Sequence, residues 1–303
     1  MDPAIKPHFG TIASLIGDTS TEDIAIKLLK ARGQLSPEKY SELLQKLLVR
    51  SFSRGCSDLV IHLVRHEEAP LANLEPSRAA QCPSVPVLNA LSEAGWDVLQ
   101  VDHKANNNCL IDMVVEHEAS VRWLIEHGAK VDRGQFDDEY ALWPRPAPLL
   151  ETCASFASLD TFKLIHNSGA RISRRTLHKA AEGSACAGAD PGKPDGGRLQ
   201  GEGEGGYGKE ERAKVLRYLV EEIGLNINQL DSDSPRHFHW GTPINYAAKS
   251  RYGASTVAWL LEKGADPSIL GLDSSQDAEG IAAYEGSKET VMLIQAWKRK
   301  HEK

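Results

Sequence analysis

The chain has 303 residues, 41% of them hydrophobic and 25% charged, a balance that excludes wholesale disorder. Its formal net charge of −7 argues against a general binder of nucleic acid or anionic membrane, which needs a basic face. No apolar run approaches the roughly 18 residues that span a bilayer, so no membrane partner is expected.

The N-terminal stretch MDPAIKPHFGTIASLIGDTSTED lacks the basic region and unbroken apolar core of a secretory leader. The five cysteines, Cys56, Cys82, Cys109, Cys153 and Cys186, are widely spaced and form no C-x-x-C pair. They read as reduced thiols of an intracellular protein, cytoplasmic or nuclear.

Helical signals begin early. Thr19-Ser20-Thr21 precedes Glu22-Asp23 and IAIKLLKAR, which predicts a helix with acids in its first turn, where the macrodipole favours them. Ser36-Pro37-Glu38 opens a second helix, with Tyr40, Leu43, Leu44, Leu47 and Leu48 on one face. Residues 1–45 are assigned to an N-terminal extension and helical cap.

From residue 46 one unit recurs: a helix, a turn, a second helix, and a glycine-led exit. It is weak in residues 46–66 and 74–98, which ends at Gly95. It sharpens in residues 108–132, where Val121, Leu124 and Ile125 precede Gly128. Residues 147–172 end at Gly169-Ala170. Residues 176–182 resume after an insertion and end at Gly224. The clearest copy is GTPINYAAKSRYGASTVAWLLEKGADP, residues 241–267. Pro243 suits a first helical turn, Val257, Leu260 and Leu261 share one face, and Gly264 ends the helix in a left-handed cap. Residues 278–294 carry Ala282-Ala283, Gly286 and Val291 in the same register, and 277–300 form a C-terminal capping repeat.

Thr242-Pro243-Ile244-Asn245-Tyr246-Ala247-Ala248, followed by Leu260-Leu261-Glu262-Lys263-Gly264-Ala265-Asp266, resembles the ankyrin-repeat family. Thr176-Leu177-His178-Lys179-Ala180-Ala181 is a second match, while Asn245 stands where the family pattern has histidine. The resemblance implies an all-α fold of about seven helix-turn-helix repeats over residues 46–300, with hairpin-like connectors and helical caps. It also implies that His178 ties turns together by hydrogen bonds, and that a protein partner is recognised through a concave groove.

Candidate chemistry is sparse. The insertion, assigned to residues 184–209 within one repeat, contains Gly201-Glu202-Gly203-Glu204-Gly205-Gly206. Formally that is a dinucleotide fingerprint, but no strand precedes it and two glutamates would repel phosphate. It reads as a flexible loop. His237 and His239 at i, i+2 lack a third metal ligand nearby, so no metal or cofactor is expected. Cys153 reads as a packing residue, and Asp137-Asp138-Glu139 as solvated acids. No enzymatic activity is expected.

The remaining signal is aromatic and basic. Phe136, Tyr140 and Trp143 lie in one long connector; Arg236, Phe238 and Trp240 lie in another, with Tyr252 beyond it. Aromatics and arginine dominate binding hot spots. With Lys179, Lys249 and Arg251 from the helices, these ten residues form the expected partner-binding set of a monomeric scaffold. Trp123, Trp259 and Trp297 sit on apolar helical faces and are assigned to repeat-to-repeat core. An enzyme with a site in the groove, built from His237, His239 and nearby acids, and a self-associating module are the alternatives. If the insertion is a loop, deleting residues 187–206 leaves the far-UV circular dichroism per helix nearly unchanged; a large loss of ellipticity would show it to be structural.

Overall fold

The computed structural model describes residues 2–132, 147–186, 209–232, 240–271 and 275–301. Of the expected binding set, Phe136, Tyr140, Trp143, Arg236 and Phe238 lie outside them, as do His237, His239, Asp137-Asp138-Glu139 and the 201–206 glycine run. The described residues fall into two compact units, one ending at Ala129 and one starting at Lys130.

The N-terminal unit runs α1 (Lys6–Ala13), α2 (Thr21–Arg32), α3 (Pro37–Ser53), α4 (Ser57–Arg65), α5 (Pro76–Ala79), α6 (Val85–Glu93), β1 (Val101–Asp102), β2 (Asn108–Cys109), α7 (Leu110–Met113) and α8 (Glu118–Glu126). The C-terminal unit runs α9 (Leu149–Phe156), α10 (Leu159–Asn167), α11 (Thr176–Cys186), α12 (Lys209–Arg217), α13 (Pro243–Ala248), α14 (Ala254–Glu262), α15 (Ala278–Tyr284) and α16 (Lys288–His301). From α3 onward the described helices come in seven first-and-second pairs, three in the N-terminal unit and four in the C-terminal unit.

Local chemistry sets the helix ends. Ser20 caps α2, its hydroxyl oxygen accepting from the Asp23 N–H at 3.2 Å. Ser36 caps α3 ahead of Pro37, and the predicted face of Tyr40, Leu43, Leu44, Leu47 and Leu48 is buried, extended by Ser51 and Phe52. Gly95, Gly128, Gly169, Gly224 and Gly264 all adopt positive φ, between 77° and 102°. After four of them the next N–H returns to the carbonyl five residues back: Trp96 to Leu91, Ala129 to Leu124, Ala170 to Ile165 and Ala265 to Leu260. That is the Schellman closure, which satisfies carbonyls the helix leaves open. The exception follows α12, which widens into a π-helical turn at Tyr218–Glu222 before Gly224.

The inter-repeat connector of the N-terminal unit is a two-stranded antiparallel hairpin, with Val101 opposite Cys109. Asp102 anchors it. Its Oδ2 accepts from the Ser77 N–H in α5 at 3.0 Å, and its Oδ1 from the N–H groups of Lys104 and Ala105.

Small residues let the first helices of the C-terminal unit approach closely. Ala180, Ala181, Ala247 and Ala248 are fully buried. Helix α11 continues through Ser184, Ala185 and Cys186, which the sequence reading assigns to the insertion. Ser184 Oγ meets Thr256 Oγ1 of α14 at 3.1 Å, and the Ala185 carbonyl accepts from Ser250 Oγ at 2.9 Å. Gly183, which opens the glycine-rich stretch, is therefore a packed helix residue. A Cβ there would lie 2.7 Å from the Ser155 carbonyl oxygen of α9.

The tryptophans divide. Trp123 is core, its indole N–H donating to Asn89 Oδ1 at 2.8 Å. Trp259 and Trp297 are only half-buried, contrary to their core assignment. A hollow of about 230 Å³ lined by Ser184, Leu216, Thr256 and Trp259 leaves the Trp259 ring partly open. Trp297 stacks on His301 one turn later in α16 instead of entering the core.

Gly183→Ala tests the α9–α11 approach. Helix propensity alone would favour alanine by about 1 kcal/mol, but the contact is with backbone, which cannot rotate away. We expect a net loss of about 1–3 kcal/mol, read as a lower urea midpoint; a higher midpoint would show that α9 yields freely.

Candidate functional site

The alanine pairs fix the register of three first helices. Immediately before each pair stand Lys179 in α11, Tyr246 in α13 and Ile281 in α15. Immediately after stand Glu182, Lys249 and Tyr284. Two rows of side chains thus run across the first helices of the C-terminal unit.

Glu182 joins these rows. Its Oε2 accepts from Lys179 Nζ at 2.7 Å and its Oε1 from Lys249 Nζ at 2.8 Å. Burial works against its charge, but the two ammonium groups outweigh it and hold the carboxyl below the usual glutamate range. Lys249 Nζ also lies over two aromatic rings, 4.6 Å from the centre of Trp240 and 5.5 Å from that of Tyr246. Lys179 Nζ sits 5.8 Å from the Tyr246 ring centre. Ion pair and cation–π attraction together fix two flexible side chains in half-buried positions.

Beneath them a buried network holds the connector. The Tyr246 hydroxyl donates to Asp231 Oδ2 at 2.7 Å, and the same oxygen accepts from the Trp240 N–H at 3.1 Å. The Asp231 N–H donates to the Gly241 carbonyl at 3.0 Å, which closes the base of that connector. Burial, joined by the Asp231 charge, pushes the Tyr246 phenol up, so it stays a donor at neutral pH. Burial opposes the charge of Arg175, but the carboxylates of Glu151 and Asp231 outweigh it.

His178 and Asn245 occupy equivalent positions, two residues before their alanine pairs. Each reaches the loop ahead of the next helix pair. His178 Nε2 bonds the Gln229 carbonyl at 2.9 Å. Asn245 Nδ2 bonds the Ile269 carbonyl at 3.1 Å and also its own connector at the Trp240 carbonyl, 2.8 Å. Asparagine therefore fills the histidine position with one amide serving two loops. In α9, Glu151 does related work by accepting from Ser173 Oγ at 2.7 Å.

Of the expected binding residues that are described, Lys179, Lys249 and Trp240 are half-buried and brought together around Glu182 and Tyr246. Arg251 is exposed, with its Nε donating to the Glu285 carbonyl at 3.1 Å. Tyr252 is 50% exposed and Tyr284 79%. Sequence reasoning missed Glu182, Tyr246, Asp231 and Tyr284. The signal for Tyr284 was present, since it follows Ala282-Ala283 as Lys249 follows Ala247-Ala248.

These helix pairs, glycine closures and the 101–109 hairpin define an all-α ankyrin-repeat fold. The human ASB11 ankyrin repeat domain is a solved structure of this kind, with a TM-score of 0.50 at 17% identity, covering 73% of this chain and 82% of that one. No family model matches the sequence, and no curated protein matches it. The fold commonly mediates protein–protein interaction.

Burial pushes His178 down to about 4 from its ordinary value near 6.5. The folded chain thus prefers the neutral imidazole, and the unfolded chain takes up the proton first. The contribution of His178 to stability is complete above about pH 6.5 and is lost as pH falls towards 4. His178→Asn keeps a donor and removes the titration. Its urea midpoint should decline less between pH 7 and pH 4.5 than that of the unsubstituted chain; parallel declines would refute a neutral buried His178.

Proposed function

We propose that this protein is a non-catalytic scaffold that binds a protein partner through the first-helix face of its C-terminal unit and the adjoining connectors. One observation carries the reading. Tyr252, in the turn that follows α13, and Tyr284, the last residue of α15, are exposed, and the first helices carry cations already fixed in place by Glu182, Trp240 and Tyr246. Large aromatic rings left in water favour burial against a partner. A face whose side chains are ordered beforehand loses little entropy on binding.

Lys179, Trp240, Lys249, Arg251 and Tyr252 carry this role on the described face, and Tyr284 joins them. Phe136, Tyr140, Trp143, Arg236 and Phe238 extend it on the connectors, an assignment supported by residue type and position in sequence. The titratable groups at the face are engaged in structural bonds: His178 with Gln229, Tyr246 with Asp231, and Glu182 with two lysines. This supports binding over catalysis. The reading takes the protein as a monomer and places it inside the cell, supported by five widely spaced cysteines with no C-x-x-C pair.

The test combines affinity capture with mass spectrometry and substitution of surface aromatics. Tyr252→Ala with Tyr284→Ala should deplete captured partners about tenfold or more, in keeping with hot-spot losses near 1.4 kcal/mol or above. Their thermal midpoint should stay within a degree or two of the parent's. Undiminished capture would remove the face from the binding site.

A further inference from the structure

We propose that the partner segment received by this face is an acidic peptide, one of whose carboxylates accepts from the remaining N–H donors of Lys179 and Lys249 beside Glu182. This rests on the protein-binding reading above and adds the chemistry of the ligand.

The carrying observation is an imbalance of charge at fixed positions. Two ammonium groups share a single carboxylate, that of Glu182, which gives one oxygen to each. An ammonium group has three N–H donors, so one carboxylate oxygen leaves each lysine with capacity for a further acceptor. Arg251 adds an exposed cation three residues from the end of α13. Its guanidinium donates to the Glu285 carbonyl, a neutral backbone group, and makes no ion pair among the described residues. Against Lys179, Lys249 and Arg251 stand the carboxylates of Glu182 and Glu285. The Asp231 and Glu151 carboxylates lie below, facing Arg175 and engaged by Tyr246 and Ser173. Among the described residues, the positive excess is local to Lys179 and Lys249 around Glu182, on a chain whose net charge is −7.

Geometry makes that excess usable. Lys249 cannot drift freely into solvent, because Trp240, Tyr246 and Glu182 position its ammonium. Lys179 is held in the same way by Glu182 and Tyr246. Both are half-buried, where attraction to an incoming charge is screened less than at an open surface. Tyr252, three residues after Lys249, and Tyr284, which follows its alanine pair as Lys249 does, add exposed rings suited to an apolar or aromatic residue near the acid. A basic ligand would meet the same lysines as like charges, so the arrangement selects by repulsion as well as attraction.

The test uses the full chain and fluorescence anisotropy with three labelled peptides: an Asp/Glu-rich sequence with one Phe, its Lys/Arg counterpart, and a neutral Ser/Gln counterpart. The acidic peptide should bind, and more weakly as salt rises. Lys249→Glu should weaken it by about tenfold or more. Glu182→Gln removes the internal competitor and should strengthen it, a gain that misfolding cannot imitate. Preference for the basic peptide, weakened by Glu182→Gln and Tyr252→Ala, would overturn the acidic assignment while leaving the protein-binding reading intact. Tighter binding of a single-stranded RNA oligonucleotide, or self-association in sedimentation dispersed by Tyr252→Ala, would overturn it in favour of those occupants. If no peptide responds to any substitution on this face, the acidic assignment falls, and the protein-binding reading stands or falls on the capture experiment.

Discussion

Each helix pair must hand a polar tie to the next while keeping an apolar stripe dry. The tie is a buried side chain on the first helix that bonds the loop ahead of the following pair. His178 does this to the Gln229 carbonyl and Asn245 to the Ile269 carbonyl. A backbone carbonyl in such a place needs a partner, because leaving it unpaired in the interior costs about 1–3 kcal/mol. Without the tie, the connector would have no fixed exit direction and the alanine pairs no fixed register. The same requirement explains why burial at His178 favours the neutral ring: a donor is needed there, and a charge is not.

The tie also organises the surface above it. Asn245 bonds the Trp240 carbonyl, and Tyr246 with Asp231 holds the Trp240 N–H from the other side. Trp240 is thereby placed where its ring can face Lys249. The candidate binding face is thus the outer layer of a network whose inner layer keeps consecutive repeats in step. Substitutions in the inner layer would disturb folding and recognition together, while Tyr252 and Tyr284 lie far enough out to separate the two.

The two units use related devices with different residues. In the N-terminal unit, Asp102 ties its hairpin back to the Ser77 N–H, and the Trp96 indole N–H donates to the Leu74 carbonyl at 3.0 Å. In the C-terminal unit, Asp231 serves its connector through Tyr246 and Trp240. A carboxylate can accept from several N–H and O–H donors at once, which suits it to a turn that must be pinned from more than one direction. The four-residue helices α5 and α7 lean on such pins more than α11 does, since a single turn has little helical hydrogen bonding of its own.

The repeat period, the glycine closures and the apolar helical faces were legible in the sequence because each depends on local geometry. Gly264 can adopt φ near 93° whatever surrounds it, and Val257, Leu260 and Leu261 share a face by spacing alone. The extent of α11 was not legible, since Gly183 and Ser184 look like loop residues until Ser155 and Thr256 are set against them. Nor were the partners of the charged groups. Glu182 and Lys249 stand 67 positions apart, and His178 and Gln229 stand 51 apart. Composition shows that these side chains exist and periodicity shows which way a helix turns. Only the close approach of neighbouring first helices decides that one carboxylate sits between two lysines, because that distance is set by the small side chains packed between the helices and not by anything adjacent in the chain.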